Sequence, residues 1–165
     1  RDDEWGNKYV ANVWDYTPAA EAGRFPYYVF YPGDQWVDWW GVNVFGSQIN
    51  LDEVAEFMEL AAKRGFPIMI GESSTDNQSN PCICSDWDSW YKGYFQFINN
   101  STYPIHAFCY INWNWCDQFG APWGDARIEK CPIGPEYQST ISANAGPYFN
   151  AGDKATVLKK LGISD

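Results

Sequence analysis

Basic residues are scarce in this sequence of 165 residues: 11 Lys and Arg stand against 21 Asp and Glu, which gives a formal charge of −10. A surface of that sign repels the phosphates of nucleic acids and the headgroups of anionic membranes. Long apolar segments are also lacking, since no run reaches the roughly 18 residues that a membrane-spanning helix requires. We therefore expect neither nucleic acid nor membrane as a partner. Residues 1–4 (RDDE) do not resemble a signal peptide, so a mature or internal start is expected.

Side chains that bind transition metals are few. His106 is the single histidine, and no two cysteines have the Cys-x-x-Cys spacing of zinc sites. No metal and no other cofactor is expected.

The five cysteines are expected to serve the structure of the protein. Either Cys82 or Cys84 is expected to form a disulfide with Cys116 or Cys131, which joins the loops after two neighbouring strands. Cys109 lies inside an apolar segment and is expected to be a buried free thiol.

Three Asn-x-Ser/Thr sequences offer acceptor sites for N-linked glycans, at Asn77, Asn99 and Asn100. Disulfides and such glycans are both features of proteins outside the cell. The sequence therefore predicts a secreted, extracellular glycoprotein.

Aromatic residues are abundant: ten Trp, eleven Tyr and ten Phe make up 19% of the chain. Large rings fill protein cores, and the flat faces of indoles also stack on the apolar C–H faces of sugar rings. Core packing and carbohydrate contact both remain open as interpretations of this composition.

Hydrophobic periodicity predicts an alternation of strands and helices. The strands are expected at 8–14, 35–45, within 65–74 and at 105–113, and the helices at 50–64, 85–98, 136–145 and 153–161. Asn50 and Glu53 are expected to cap the first helix, which Gly65 ends. Ser85 and Asp88 are expected to cap the second helix.

The four strands predict an α/β protein with a parallel sheet and a single domain over residues 1–165. They start about every thirty residues, the length of one unit in a (β/α)8 TIM barrel of ~250 residues. Four units make half of such a barrel, and its open edges and inner face require a cover.

Several segments resemble a known class of enzymes. They read NVWDY, YPGDQWVDWWGVNVF, RGFPIMIGESS, WDSWYKGYF, HAFCYINWNW and WGDARIE. Together they resemble the C-terminal half of a secreted (β/α)8 glycoside hydrolase, closest to family 26 mannanases and related β-glycanases. The resemblance covers residues 8–145 and implies strands five to eight of the barrel. It also implies a retaining glycosidase that acts on mannan or β-glucan, with an N-terminal half on another segment.

The resemblance assigns the catalytic nucleophile to Glu72, which directly follows the apolar run 68–71. Active sites of these barrels lie at the carboxyl ends of the strands. The proton donor of the family lies on strand four, before this chain begins, so Asp15 and Asp117 are the available substitutes. Phe45 departs from the family, which often has a tyrosine there that hydrogen-bonds the nucleophile.

Residues near the strand ends are candidates for sugar binding. They are Trp14, Trp40, Asn43, Asn112, Trp113, Trp115 and Trp123. Core packing is the alternative role, above all for Trp40 and Trp113.

Two functions fit these observations. One is half of a retaining glycosidase, completed by an N-terminal half-barrel segment and acting on a polysaccharide or oligosaccharide. The other is a catalytically inactive carbohydrate-binding or matrix glycoprotein on the same scaffold, in which another copy of the chain covers the open sheet.

Overall fold

The computed structural model of the protein describes residues 11–18, 27–76, 83–99, 102–116 and 124–143. Its centre is a sheet of four parallel strands in chain order: β1 (Val13–Tyr16), β2 (Trp39–Phe45), β3 (Ile68–Ser74) and β4 (Ile105–Phe108). Each strand pairs with the next one along the chain. The α/β class and the parallel sheet are confirmed, and the arrangement is compatible with a partial barrel.

Helices follow β2, β3 and β4. They are α1 (Asp52–Arg64), α2 (Lys92–Ile98), which continues a π-helical turn at Trp87–Tyr91, and α3 (Gly134–Ala143). Short 3-10 turns lie at Tyr27–Phe30, Asp34–Trp36 and Gly46–Asn50. Within the described ranges, none of the helices has both the length and the apolar character needed to cross a membrane. The helix predicted at 153–161 lies outside the described residues.

Helix α1 packs on the sheet through Val54, Phe57, Met58 and Ala61, whereas Ala55 is exposed. Gly65 ends the helix as predicted, with a φ of 78°, and its N–H donates to the carbonyls of Ala61 and Ala62 in the last turn.

The N-caps predicted for these two helices were each wrong by one residue. Leu51 occupies the N-cap of α1 without a side-chain hydrogen bond, because residues 46–50 already form a 3-10 turn. Asp86 rather than Ser85 caps the turn before α2, and its carboxylate accepts a hydrogen bond of 2.8 Å from the N–H of Ser89.

The second helix packs into the core through apolar, mostly aromatic side chains that recur at spacings of three and four residues. The buried ones are Trp90, Tyr91, Tyr94, Phe95 and Ile98. The indole N–H of Trp90 also donates to the carbonyl of Gly46 over 2.7 Å, which ties this helix to the end of β2.

The strands are shorter than predicted. β1 starts at Val13 and continues through Tyr16, so Asp15 belongs to the strand and not to a turn. β2 starts at Trp39, since residues 34–36 form a 3-10 turn after Gly33, whose φ is 106°. β4 ends at Phe108.

The two faces of the sheet differ in their cover. One face is covered by the helices and carries the buried side chains of Trp40, Val42, Val44, Ile68 and Ile70. The opposite face, called the open face below, carries Val13, Asp15, Gly41, Met69 and Gly71. Val13 on this face is 43% exposed, and Asp15 is exposed.

A disulfide joins Cys84 to Cys131, with 5.5 Å between their Cα atoms. It is one of the four pairings that the sequence left open; Cys82 lies outside the described residues. The prediction of a buried Cys109 was wrong, because its thiol is exposed. The preceding Phe108 packs against Tyr94 and Phe95 of α2, and the alternation of an extended chain turns the next side chain away from the helices.

Candidate active site

Glu72 lies near the carboxyl end of β3, and its side chain is exposed. The pairing of β2 with β3 shifts register here, since Val42 pairs with Ile70 but Val44 pairs with Ser73. Gly71 and Glu72 therefore both oppose one residue of β2. Such bulges change the direction of side chains and are frequent beside active sites. The buried helix-covered face does not include Glu72.

Asp15 of β1 lies across the neighbouring strands on the open face. A Cβ atom at Gly41 would stand 2.5 Å from Asp15 Oδ1, and a Cβ atom at Gly71 would stand 2.9 Å from Asp15 Oδ2. Both contacts are too short for real atoms. The two glycines therefore make a floor on which the carboxylate of Asp15 extends from β1 over β2 to β3.

Asn43 of β2 borders this floor and is only 8% exposed. Its Nδ2 donates to Thr17 Oγ1 over 3.0 Å, and its side chain also hydrogen-bonds Asp15. Asn43 Oδ1 is buried and has no hydrogen-bond partner among the described atoms. A Cβ atom at Gly71 would lie 2.9 Å from it, so this oxygen points to the same floor as Asp15.

The pKa of Asp15 is raised above its ordinary value of 3.8, chiefly because its carboxylate lies against Gly41 and Gly71 and loses part of its solvation there, although the residue as a whole is exposed. Hydrogen bonds from Asn43 and from the N–H of Tyr16, which donates to Asp15 Oδ1 over 3.1 Å, act in the opposite direction. The negative charge of Glu72 raises the pKa of Asp15 further. Because the carboxylate of Asp15 reaches the backbone at Gly71, it lies beside the neighbouring Glu72, which carries the same charge.

Ser73 and Ser74, the two residues after Glu72, hydrogen-bond neighbouring parts of the chain and so hold the end of β3 in place. Ser73 Oγ hydrogen-bonds the hydroxyl of Tyr94 on α2 and donates to the carbonyl of Cys109 over 2.7 Å. Ser74 Oγ accepts the indole N–H of Trp115 over 3.1 Å. These contacts hold the backbone on which Glu72 stands.

Two of the sugar-binding candidates lie on the face of the sheet opposite to Asp15, where Trp40 is buried in the core and the half-buried Trp14 packs against it. Trp40 is 1% exposed, and Trp14 packs edge to face against it with ring centroids 4.9 Å apart. Both rings also contact Phe57 of α1. The sequence offered Trp40 and Trp14 as sugar-binding residues, but the structure shows both rings in core packing. The alternation of side chains along the strands points both rings toward the helix.

The candidates after β4 occupy a loop beside the strand ends. Trp113 is 51% exposed. Asn112 donates to Glu129 Oε2 over 2.9 Å and accepts from the N–H of Ile128 over 2.7 Å, so its side chain supports the loop. Trp115 donates its indole N–H to Ser74 Oγ at the end of β3.

Trp123 and Asp117 lie outside the described residues, and so do the glycan acceptors Asn77 and Asn100. Asn99 is exposed at the end of α2, and its Nδ2 donates to the carbonyl of Phe95 over 2.8 Å. Glycosylation there stays a prediction.

Sequence reasoning missed the glycine floor and the position of Asp15 beside Glu72. The available signal was a glycine in the middle of each of two apolar strands, which marks a close approach of another group. Which group approaches depends on the neighbouring strand and cannot be read locally.

Possible metal ligands come together at one place in the part of the chain that the structure describes. These are Cys84, Asp125 and Cys131. Because the two sulfur atoms are joined in the disulfide, this group is a structural cross-link.

The fold and the site define an α/β protein with a parallel sheet and two carboxylates on its open side. No protein-family model matches the chain. It is similar to a β-1,3-xylanase from Alcaligenes sp, with 31% identity over 158 residues that cover 80% of this chain and 34% of the relative. It is also similar to β-1,3-xylanase TXYA from Vibrio sp, with 29% identity over 159 residues that cover 81% of this chain and 35% of the relative. The chain spans about a third of the length of these curated relatives.

Proposed function

We propose that this chain is the C-terminal half of a retaining glycoside hydrolase barrel, strands five to eight, and that Glu72 is its nucleophile. The observation that carries the proposal is the exposed Glu72 near the end of β3, beside Asp15. The chain is similar over four-fifths of its length to two β-1,3-xylanases, and this similarity supports the hydrolysis of a glycosidic bond as its reaction.

In the proposed reaction the ionised carboxylate of Glu72 attacks the anomeric carbon of a sugar unit. A bond forms between that carbon and Glu72, the glycosidic bond breaks, and the leaving oxygen takes a proton from an acid residue. Water then attacks the glycosyl-enzyme, gives its proton to the same residue, and releases the sugar with its original configuration. The acid residue belongs to strand four, on the N-terminal half.

The open face of the sheet supports a missing N-terminal half. Side chains on this face include the exposed Val13 and Asp15, as expected when the cover is supplied from elsewhere. The two relatives are about three times as long as the matched region, which leaves room for such a half. β1 would then pair with strand four through its free edge.

A β-linked polysaccharide is the proposed substrate, and β-1,3-xylan is the first choice because of the activity that the relatives are named for. Mannan and β-glucan, the substrates implied by the family 26 resemblance, are the alternatives. A polymeric substrate also supports an extracellular location, and the Cys84–Cys131 disulfide is consistent with an oxidising compartment.

The test uses the full-length native protein with β-1,3-xylan, β-1,4-mannan and β-1,3-glucan, and follows the release of reducing ends. Glu72→Gln is expected to lower turnover by about a thousandfold or more, because the glutamine cannot attack. Glu59→Gln, an exposed carboxylate in α1, is the matched control and is expected to retain activity. A 2-fluoro-glycoside of the preferred sugar is expected to label Glu72, which peptide mass spectrometry detects. Undiminished hydrolysis by Glu72→Gln would refute the assignment.

A second candidate is a carbohydrate-binding or matrix protein without turnover. Phe45 favours it, because a phenyl ring offers no hydroxyl to the nucleophile where the family often has tyrosine. This candidate predicts binding of the polysaccharide with no release of reducing ends and no labelling of Glu72.

A further inference from the structure

Three features that weaken a fold occur together on the open face. The carboxylate of Asp15 lies against Gly71, next to Glu72 of the same charge, and the ionised form of Asp15 is disfavoured there. The buried Asn43 Oδ1 has no hydrogen-bond partner among the described atoms, which is costly for a buried acceptor. Gly41 and Gly71 interrupt two strands where other residues pair better. Such a concentration of costs is typical of a functional site.

The chemistry of these groups specifies the ligand that would relieve the costs. The carboxylate of Asp15 and Asn43 Oδ1 are hydrogen-bond acceptors, so the ligand must donate hydrogen bonds. An anionic ligand is disfavoured because both nearby charges are negative. A sugar ring satisfies both conditions, since it is uncharged and carries several hydroxyl donors.

We propose that Asp15 and Asn43 bind hydroxyl groups of the sugar unit whose anomeric carbon Glu72 attacks, which makes Asp15 a substrate-binding residue of the site. This inference rests on the proposed function and adds the residues that hold the sugar beside the nucleophile.

The glycine floor explains how Asp15 serves this purpose. Asp15 Oδ1 occupies the position that a side chain at Gly41 would take, and Asp15 Oδ2 occupies that of a side chain at Gly71. The carboxylate therefore lies flat against the backbone of β2 and β3, anchored by the N–H of Tyr16. A ring can then lie above Asp15 without displacing it.

A divalent cation is the other ligand that oxygen atoms of this kind can bind. Calcium takes about six to eight oxygen ligands, whereas Asp15, Asn43 and Glu72 together offer few, and Asp15 already accepts from Tyr16 and Asn43. The sugar is therefore the ligand that we assign, and the cation is an outcome of the test.

The experiment measures binding of a β-1,3-xylo-oligosaccharide by titration calorimetry, in EDTA, to the full-length protein carrying Glu72→Gln. Adding Asp15→Ala is expected to weaken binding about tenfold or more, as for the loss of a charge-assisted hydrogen bond. Adding Asp15→Asn is expected to have a smaller effect of the same sign. Adding Glu59→Gln is expected to leave affinity unchanged, and thermal melts verify that every variant is folded.

Monodeoxy oligosaccharides identify the contact. The analogue that lacks the hydroxyl bound by Asp15 is expected to bind weakly to the parent and to lose little more when Asp15→Ala is added, because the same hydrogen bond is removed twice.

The outcomes separate this inference from the proposed function. If the Asp15 variants bind as well as the parent while Glu72→Gln alone abolishes turnover, the inference is wrong and the proposed function stands. If Glu72→Gln retains turnover, the proposed function is wrong. If, in a separate titration without EDTA, calcium alone gives a binding signal that Asp15→Ala removes, and the oligosaccharide gives none, the site is a cation site and the inference is overturned.

Discussion

The ionised form of Asp15 is disfavoured by the folded protein, which gives a prediction for stability. Its folded-state pKa is raised above 3.8, so the folded protein holds this proton more tightly than the unfolded chain does. At a pH above the folded-state pKa, the charged side chain therefore destabilises the fold. Asp15→Asn is expected to be more stable than the parent at pH 7. The gain is expected to stay below about 1 kcal/mol because Asp15 is exposed.

The pH dependence of that gain has a definite sign. It is expected to shrink as the pH falls through the folded-state pKa of Asp15 and to vanish below 3.8, where the side chain is protonated in both states. Thermal melts between pH 7 and pH 3 measure it. Glu59→Gln controls for the removal of one negative charge from an acidic protein. A variant that is less stable than the parent at pH 7 would contradict the prediction.

A second prediction concerns the glycine floor. Gly41→Ala is expected to destabilise the protein by about 1–3 kcal/mol, as overpacking does, because the added Cβ would stand 2.5 Å from Asp15 Oδ1. The cost is expected to fall when Asp15→Ala is also present. Chemical denaturation of the two single variants and the double variant measures this coupling.

Gly93 in α2 is the matched control for the glycine floor. Its added Cβ would have its nearest neighbour at 4.0 Å, so there is room for it. Gly93→Ala is expected to stabilise the helix by up to about 1 kcal/mol. Equal effects of Gly41→Ala and Gly93→Ala would mean that Asp15 does not occupy the floor.

At the scale of elements, periodicity predicted the existence of the strands and helices that the structure describes better than their ends. The spacing of Trp90, Tyr94 and Phe95 is sufficient to identify the buried face of the second helix. Caps depend on where the preceding turn stops, and the turn at Gly46–Asn50 moved the first cap beyond Asn50. Strand ends depend on the neighbouring strand, which single-sequence patterns do not contain.

The disulfide is the cross-link between the loop after β3 and the segment before α3. Its cysteines are 47 residues apart, and closing a loop of that length lowers the entropy of the unfolded chain by an amount worth about 4 kcal/mol. The double variant Cys84→Ser and Cys131→Ser is expected to lose about 2–4 kcal/mol of unfolding free energy in denaturant titrations. Cys109→Ser, at an exposed thiol, is the control and is expected to change little. A loss as small as that of the control would show that the cross-link adds no stability.

At the scale of the whole molecule, the sequence predicted the sheet and the location of Glu72 but not the grouping around it. An acidic residue at the end of an apolar strand is a local signal. The contact of Asp15 with Gly41 and Gly71 joins three strands, and the placement of Trp14 and Trp40 against α1 depends on strand register. Both require the paired sheet, so they appear only in the folded structure.

The open face leads to a prediction about the size of the native protein. β1 and β4 each have one edge without a strand partner in the described sheet, and unpaired edges attract further strands. Val13 and Asp15 of β1 are exposed beside that edge. We therefore expect further polypeptide to cover this half-barrel in the native protein, either an N-terminal half or other copies of the chain.

Light scattering after size exclusion, with intact mass spectrometry of the same sample, distinguishes these forms of the native protein. Extra covalent or tightly bound polypeptide of a different mass supports the N-terminal half, and a multiple of 18.9 kDa supports self-association. Hydrogen exchange is expected to show slow amides along the outer edge of β1 in either assembly, because a partner strand would protect them. A monomer of 18.9 kDa with fast-exchanging β1 amides would contradict the prediction, since the open face would then be stable in water by itself.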